Sequence, residues 1–187
     1  MTKILMDETA ISRSLNKIAH QILEHNEGAN NLAVVGIRTR GVDLSNRIVD
    51  IIESIENVKI PSGCVDITLY RDDFRETVDF PHPQGSEILF DPKGKNIVLI
   101  DDVLFTGRTV RAAIDVILDF GRPKSIQLAV LIDRGGRELP IQPDYVGRKI
   151  DVRSDEYVQV LTKETDGEDK IMLVKRRIGD TDAFPTR

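Results

Sequence analysis

An α/β fold with a central, mainly parallel sheet flanked by helices is the fold class this chain predicts, and three observations carry it. Predominantly apolar runs at 32–37, 97–100 and 125–133 have the length and composition of strands buried on both faces. Stretches with apolar residues at helical spacing alternate with them. Each of the first two runs leads into a loop of Gly, Thr and Arg residues before its helix begins. In an alternating β/α order such loops gather at the carboxyl edge of the sheet, where ligands bind.

The elements follow in order. Residues 7–26 read as a helix with Ile11, Leu15, Ile18 and Ile22 on one stripe, widened by Ala19 and Leu23, and Asp7 or Thr9 as cap. Its polar face carries Arg13, Asn16, Lys17, His20 and Glu24. LAVVGI at 32–37 is a buried strand, followed by Arg38, Thr39, Arg40 and Gly41 and by a helix with Leu44, Ile48, Ile52 and Ile55 in register. A strand is expected at 63–69; the lone Cys64 within it has no partner for an internal disulfide and reads as a small buried thiol. Residues 70–86 show neither period and are punctuated by Pro81, Pro83 and Gly85, the pattern of a lid loop.

The strand at 97–100 runs into Asp101 and Asp102, then Thr106, Gly107, Arg108 and Thr109. The next helix uses Val110, Ala113, Ile114, Ile117 and Leu118 and stops near Gly121 and Pro123. SIQLAVLID at 125–133 is the third buried strand, and 134–140 follows as an exposed basic turn. Segments 156–161 and 170–174 form a hairpin across Thr165, Asp166, Gly167 and Glu168. Residues 1–174 are read as one domain and 175–187 as a loose tail.

The stretch 97–109 carries the chemistry. A helix entrance preceded by Gly107 presents unpaired peptide N–H groups and the positive end of the helix dipole, which suits a phosphate. Two adjacent acids would repel that phosphate, so they need another purpose. A phosphorylated ribose supplies one: its hydroxyls donate to carboxylates while its phosphate lies in the loop, and a divalent cation offsets the charge. For an isolated Asp pair at a strand end, a solvated terminus would be the commoner meaning.

A net charge of −5 argues against a surface that grips nucleic acid everywhere. It leaves room for a local patch: between 134 and 153 there are five basic residues (134, 137, 148, 149, 153) against three acidic ones. No run approaches the ~18 apolar residues of a membrane span, and none near the start has signal-peptide length. A cytoplasmic protein without a membrane partner is expected.

The stretch 97–109 resembles, without a gap, the phosphoribosyl pyrophosphate (PRPP) signature of type I phosphoribosyltransferases. Three further blocks, GIRTRG (36–41), DITLYRDD (66–73) and GRPKSIQLAVLIDRGGRELPI (121–141), with KIAHQILEHN in the first helix, resemble the bacterial pyrimidine operon attenuation regulators, which are also uracil phosphoribosyltransferases. The likeness covers roughly 4–174. It implies the type I fold, with a lid loop and a small hood beside the main sheet.

The resemblance also implies a reaction, uracil plus PRPP giving UMP and diphosphate with Mg²⁺. Asp101 and Asp102 fall to the ribose hydroxyls, to the developing charge on the ring, and to the metal through substrate or water. Thr106, Gly107, Arg108 and Thr109 fall to the 5′-phosphate, in a PRPP- and UMP-binding run that includes Val103, Leu104 and Phe105. Arg38, Thr39, Arg40 and Gly41 fall to diphosphate and metal. Asp133 and Arg134, with backbone near Ile132, fall to uracil, and Arg71, Asp72, Asp73 and Arg75 to the lid.

The second implied activity is binding of a pyrimidine-operon mRNA leader stem-loop under control of UMP or UTP, through Asn16, His20, Arg137, Arg148 and Lys149. A homodimer or larger assembly is usual in the family. Two other readings stay open: a phosphoribosyltransferase that does not bind RNA, and a PRPP-binding fold without activity.

Overall fold

The computed structural model describes residues 2–67 and 85–175. Its elements are β1 (Thr2–Asp7), α1 (Glu8–His25), β2 (Leu32–Ile37), α2 (Arg40–Glu56), β3 (Ser62–Val65), β4 (Asn96–Leu104), α3 (Arg108–Phe120), β5 (Ser125–Asp133), β6 (Tyr145–Lys149), β7 (Glu156–Leu161), α4 (Lys163–Asp166) and β8 (Lys170–Lys175). Strands β3-β2-β4-β5-β6 form a five-stranded sheet, parallel throughout, and β1-β8-β7 form an antiparallel one. This is the α/β architecture expected, with a second small sheet where a hood was expected.

The sheet holds because β4 supplies apolar side chains to both faces. Val98 and Ile100 join Ile11, Ile18 and Ile22 of α1 and Leu44, Ile48 and Ile52 of α2. Ile97 and Leu99 join Val110, Ala113, Val116 and Ile117 of α3 on the other side. This is the period-two alternation of a strand working in two cores at once. Each fully buried Ile or Leu is worth roughly 1.5–3 kcal/mol, so the layers are locked mainly by β2, β4 and β5.

Several expectations hold at the residue level. β2 and β5 occupy the spans read from the sequence. Asp7 caps α1, its carboxylate accepting from the Ala10 N–H at 2.8 Å. Cys64 is buried.

Others need correction. β4 does not stop at Ile100: it continues through both acids to Leu104. Ile55 and Leu118, assigned to apolar stripes, are 44% and 50% exposed; each lies near the end of its helix, past the sheet it would have covered. The strand expected at 63–69 runs over Ser62–Val65, and residues 68–84 lie outside the described residues. The hairpin is a three-stranded sheet whose third strand, β1, was not foreseen. β1 shifts register between Ile4 and Met6 and leaves Ile4 59% exposed, so no clean alternation marks it. Lys175, given to the tail, still pairs with Glu156; residues 176–187 lie outside the described residues.

The start of α2 is seated directly on the sheet at Gly36. A Cβ there would stand 2.6 Å from Ser45 Oγ and 2.7 Å from both Gly41 O and Val42 Cα. Gly36→Ala is therefore expected to cost about 1–3 kcal/mol of stability, the usual range for overpacking, read as a lower urea midpoint. A midpoint equal to that of the wild type would refute the tight seat.

Candidate active site

β2, β4 and β5 are neighbours in the sheet, so the loops that follow them share one edge. The loop after β2 begins at Arg38, whose N–H donates to Val65 O at 2.9 Å and whose Nη2 lies 3.4 Å from Cys64 Sγ. The Arg38–Thr39 peptide is cis, and Thr39 precedes α2. Gly41 is buried, and a Cβ on it would lie 2.7 Å from Ile100 O and 3.4 Å from Asp101 Cα. The loop thus presses its backbone against β4 beside the acid pair.

Asp101 and Asp102 are 6% and 7% exposed. Asp101 Oδ1 accepts from the Asp102 N–H, and Asp102 Oδ1 from the Val103 N–H, each at 2.9 Å. Those bonds orient the carboxylates along the strand. Consecutive strand positions face opposite sides, so the two acids are not one paired site. Asp102 is the one whose charge helps to raise the Arg40 guanidinium pKa, after the larger effect of the hydrogen bonds that Arg40 donates to Asp166. Its second oxygen receives no donor among the described residues.

Phe105, Thr106 and Gly107 connect β4 to α3. Gly107 adopts φ +91° ahead of the helix, which begins without a side-chain cap; that leaves first-turn N–H groups for an anion. Thr106 Oγ1 accepts from the Arg108 N–H at 3.3 Å, so its hydroxyl already shapes the loop. Arg108 itself pairs with Glu138 at 2.6 Å.

The segment after β5 clamps this connection from outside. Thr106 O accepts from the N–H groups of Glu138 and Leu139, both at 3.0 Å. The Arg134 guanidinium stacks 3.9 Å from the centroid of the Phe105 ring. Arg137 folds inward with a side chain 14% exposed. It donates to Asp133 Oδ1 at 2.7 Å, Phe105 O at 3.0 Å and Ile141 O at 2.9 Å. The turn at 134–140 is therefore not simply exposed. The backbone donors expected to read uracil are partly engaged too: Arg134 N–H donates to Leu104 O and Gly135 N–H to Asp133 Oδ1.

Along α2, Arg40, Asp43 and Arg47 face the β7–β8 connection. Arg40 makes a bidentate pair with Asp166, Asp43 accepts from the hydroxyls of Thr162 and Thr165, and Arg47 binds Glu164 and Asp169. Burial works against the charge on Asp169, yet the Arg47 hydrogen bonds and the Lys163 N–H hold its carboxyl below the usual range. Sequence reasoning saw only a turn at Asp166; its partner lies 126 residues away.

The residues assigned to RNA are only partly brought together. α1 packs on β6, the strand that carries Arg148 and Lys149. Lys17 Nζ donates to Gly147 O at 2.8 Å, and Arg148 to Leu5 O at 2.5 Å. Asn16 donates to Ser12 O, and His20 Nδ1 lies 2.8 Å from Asn16 O. Arg137 departs from that exposed group by turning into the crevice. Arg71, Asp72, Asp73 and Arg75 lie outside the described residues.

Comparison with known proteins gives consistent results. The family described as phosphoribosyl transferase domain matches residues 1–163. The Bifunctional protein PyrR of Halalkalibacterium halodurans is 50% identical over 94% of this chain and 99% of its own length. That of Clostridioides difficile is 53% identical over 90% and 96%. Among solved structures, a hypoxanthine phosphoribosyltransferase from Trypanosoma cruzi superposes with a TM-score of 0.72 at 19% identity, covering 93% of this chain and 95% of the other. That likeness shows the fold.

Gly136 packs against the Phe105 ring at φ +74°, and a Cβ on it would lie only 2.5 Å from Phe105 Cε2. Gly136→Ala is expected to push the Phe105 ring and its loop aside, weakening calorimetric binding of PRPP about tenfold, or ~1.4 kcal/mol. Unchanged affinity would mean that Phe105 moves without the loop.

Proposed function

Because this chain belongs to the phosphoribosyltransferase family, and to its PyrR group, we propose that it transfers a phosphoribosyl group from PRPP to uracil and binds a pyrimidine-operon mRNA leader when UMP is present. The observation that carries the catalytic half is the convergence of three loops, after β2, β4 and β5, around the buried Asp102. The family supplies the reaction class, and the geometry suggests which groups perform it.

Departure of diphosphate from C1 of the ribose leaves positive charge on the ring, as in other oxocarbenium-like transfers. The carboxylate of Asp102, buried and oriented by the Val103 N–H, stabilises that charge without needing to become a nucleophile. Asp101 helps to hold the ribose hydroxyls. The α3 entrance, over Thr106, Gly107, Arg108 and Thr109, anchors the 5′-phosphate, with Val103, Leu104 and Phe105 leading into it. Arg38, Thr39, Arg40 and Gly41 receive the diphosphate. Asp133 and Arg134 border the uracil pocket. Arg71, Asp72, Asp73 and Arg75 would close over the crevice and exclude water.

Mg²⁺ fits this donor set. Among the described residues no three potential ligands cluster, but this cation commonly takes one or two carboxylates and completes its shell with substrate oxygens and water. Because they face opposite sides of β4, Asp101 and Asp102 would hold it through the ribose hydroxyls or water and not as one chelating pair, and when bound it would neutralise charge on the diphosphate.

For RNA the reading rests on Asn16, His20, Arg148 and Lys149, with UMP or UTP as the signal. Arg137, turned inward, touches Asp133 and Phe105 O and so stands with the nucleotide loops, apart from that surface. We read residues 1–174 as one domain that works in the cytoplasm as a homodimer or larger assembly. No described helix is long and apolar enough to cross a membrane.

Two experiments test the two halves. Diphosphate release from PRPP is expected with uracil and not with hypoxanthine or orotate, and Asp102→Asn should lower kcat/KM by on the order of 10²-fold; a purine as the better acceptor would overturn the assignment. In a gel shift at two salt concentrations, a leader stem-loop is expected to bind more tightly than a scrambled control and more tightly still with UMP. His20→Ala and Arg148→Ala should weaken it. Weak binding that ignores sequence and UMP and vanishes at the higher salt would leave an enzyme alone.

A further inference from the structure

Arg40, Asp43 and Arg47 stand at i, i+3 and i+7 on α2, one face of the helix. All three meet the short connection between β7 and β8. Asp43 and Arg47 suffice to fasten that connection: Asp43 accepts from Thr162 at 2.6 Å and Thr165 at 2.7 Å, and Arg47 pairs with both Glu164 and Asp169. The Arg40–Asp166 pair adds something different, because Arg40 is the first residue of α2, where the loop after β2 enters the helix.

Its geometry is side-on. Nε donates to Asp166 Oδ2 at 2.9 Å and Nη2 to Oδ1 at 2.8 Å, with side chains 20% and 17% exposed. The opposite edge of the guanidinium, Nη1 and the remaining Nη2 hydrogen, makes no hydrogen bond among the described residues. Asp166 is itself pinned, since Oδ2 also accepts from the Thr162 N–H at 2.9 Å and its own N–H donates to Thr162 O at 2.7 Å. A guanidinium with one edge fixed by a carboxylate keeps a planar pair of donors ready for a second anion. The next residue, Gly41, has its backbone against Ile100 and Asp101, so Arg40 emerges at the acid pair.

We propose that Asp166 is a positioning residue for the diphosphate subsite: fixed by α4, it sets the plane of the Arg40 guanidinium so that the open edge grips the diphosphate of substrate and product. This rests on the phosphoribosyltransferase reading given above. It also gives the small sheet a role in the chemistry of the main sheet, exerted through Arg40.

The test compares Asp166→Asn with Glu164→Gln, which breaks an equally charged contact of the same α4 that does not involve Arg40. Calorimetric titration of the full chain with inorganic diphosphate and Mg²⁺ is expected to show about tenfold weaker binding for Asp166→Asn, the usual scale for losing preorganisation of one charged grip. Glu164→Gln should stay within about twofold. In turnover, Asp166→Asn should raise KM for PRPP and leave KM for uracil nearly unchanged. Equal weakening in both variants, a parallel rise in both KM values, or unchanged diphosphate affinity in Asp166→Asn would overturn the positioning role. If the wild type fails to turn over uracil, the functional reading falls instead, and the diphosphate titration still decides the role of Asp166.

Discussion

The central parallel strands β2, β4 and β5, buried on both faces, leave this chain little room for polar chemistry except where the strands end. Most of their interior side chains join one of two cores, Gln127 being a buried polar exception, so polar side chains collect mainly at the carboxyl edge. Asp101 and Asp102 stand at the limit of that rule. They continue the β4 ladder into the polar zone, and each carboxylate takes the next backbone N–H as partner. Burial without such partners would be costly. The result is a pair of carboxylates held stiffly by the sheet itself.

Around that pair the loops hold one another. The connection after β4 gives its carbonyls at Phe105 and Thr106 to residues 137–139, and its ring to Arg134. The loop after β2 rests on β4 through Gly41, and its arginine is steered from the small sheet through Asp166. Loops that would be independent on a simpler scaffold are thereby made interdependent. Arg137 shows the effect most clearly, since one guanidinium spans the end of β5, the β4–α3 connection and Ile141.

Sequence reasoning recovered what local burial dictates. β2 and β5 were legible to the residue because a strand covered on both faces is apolar along most of its length. β4 was read short because carboxylates are poor strand formers and the bonds that rescue them lie in the backbone geometry. β1 was missed because its register shift destroys the alternation that would have revealed it. The candidate site was legible as a string of residue types after two strands. Its wiring was not: Arg40 meets Asp166 across 126 positions, and Arg137 reaches Phe105 across 32. Nothing in residue spacing announces such partners, and the inward turn of Arg137 reverses the exposure that its basic neighbourhood suggested.

The pairing of β1 with β8 has a consequence for the order in which the molecule is built. Met6 lies opposite Ile171, so the earliest strand finds its neighbour only after nearly all of the other elements have been synthesised. On the ribosome the strands of the parallel sheet emerge before β8 and can pair among themselves, while β1 waits. The crevice floor therefore precedes its hood in time, and Arg40 has no Asp166 to steer it until the last part of the fold closes.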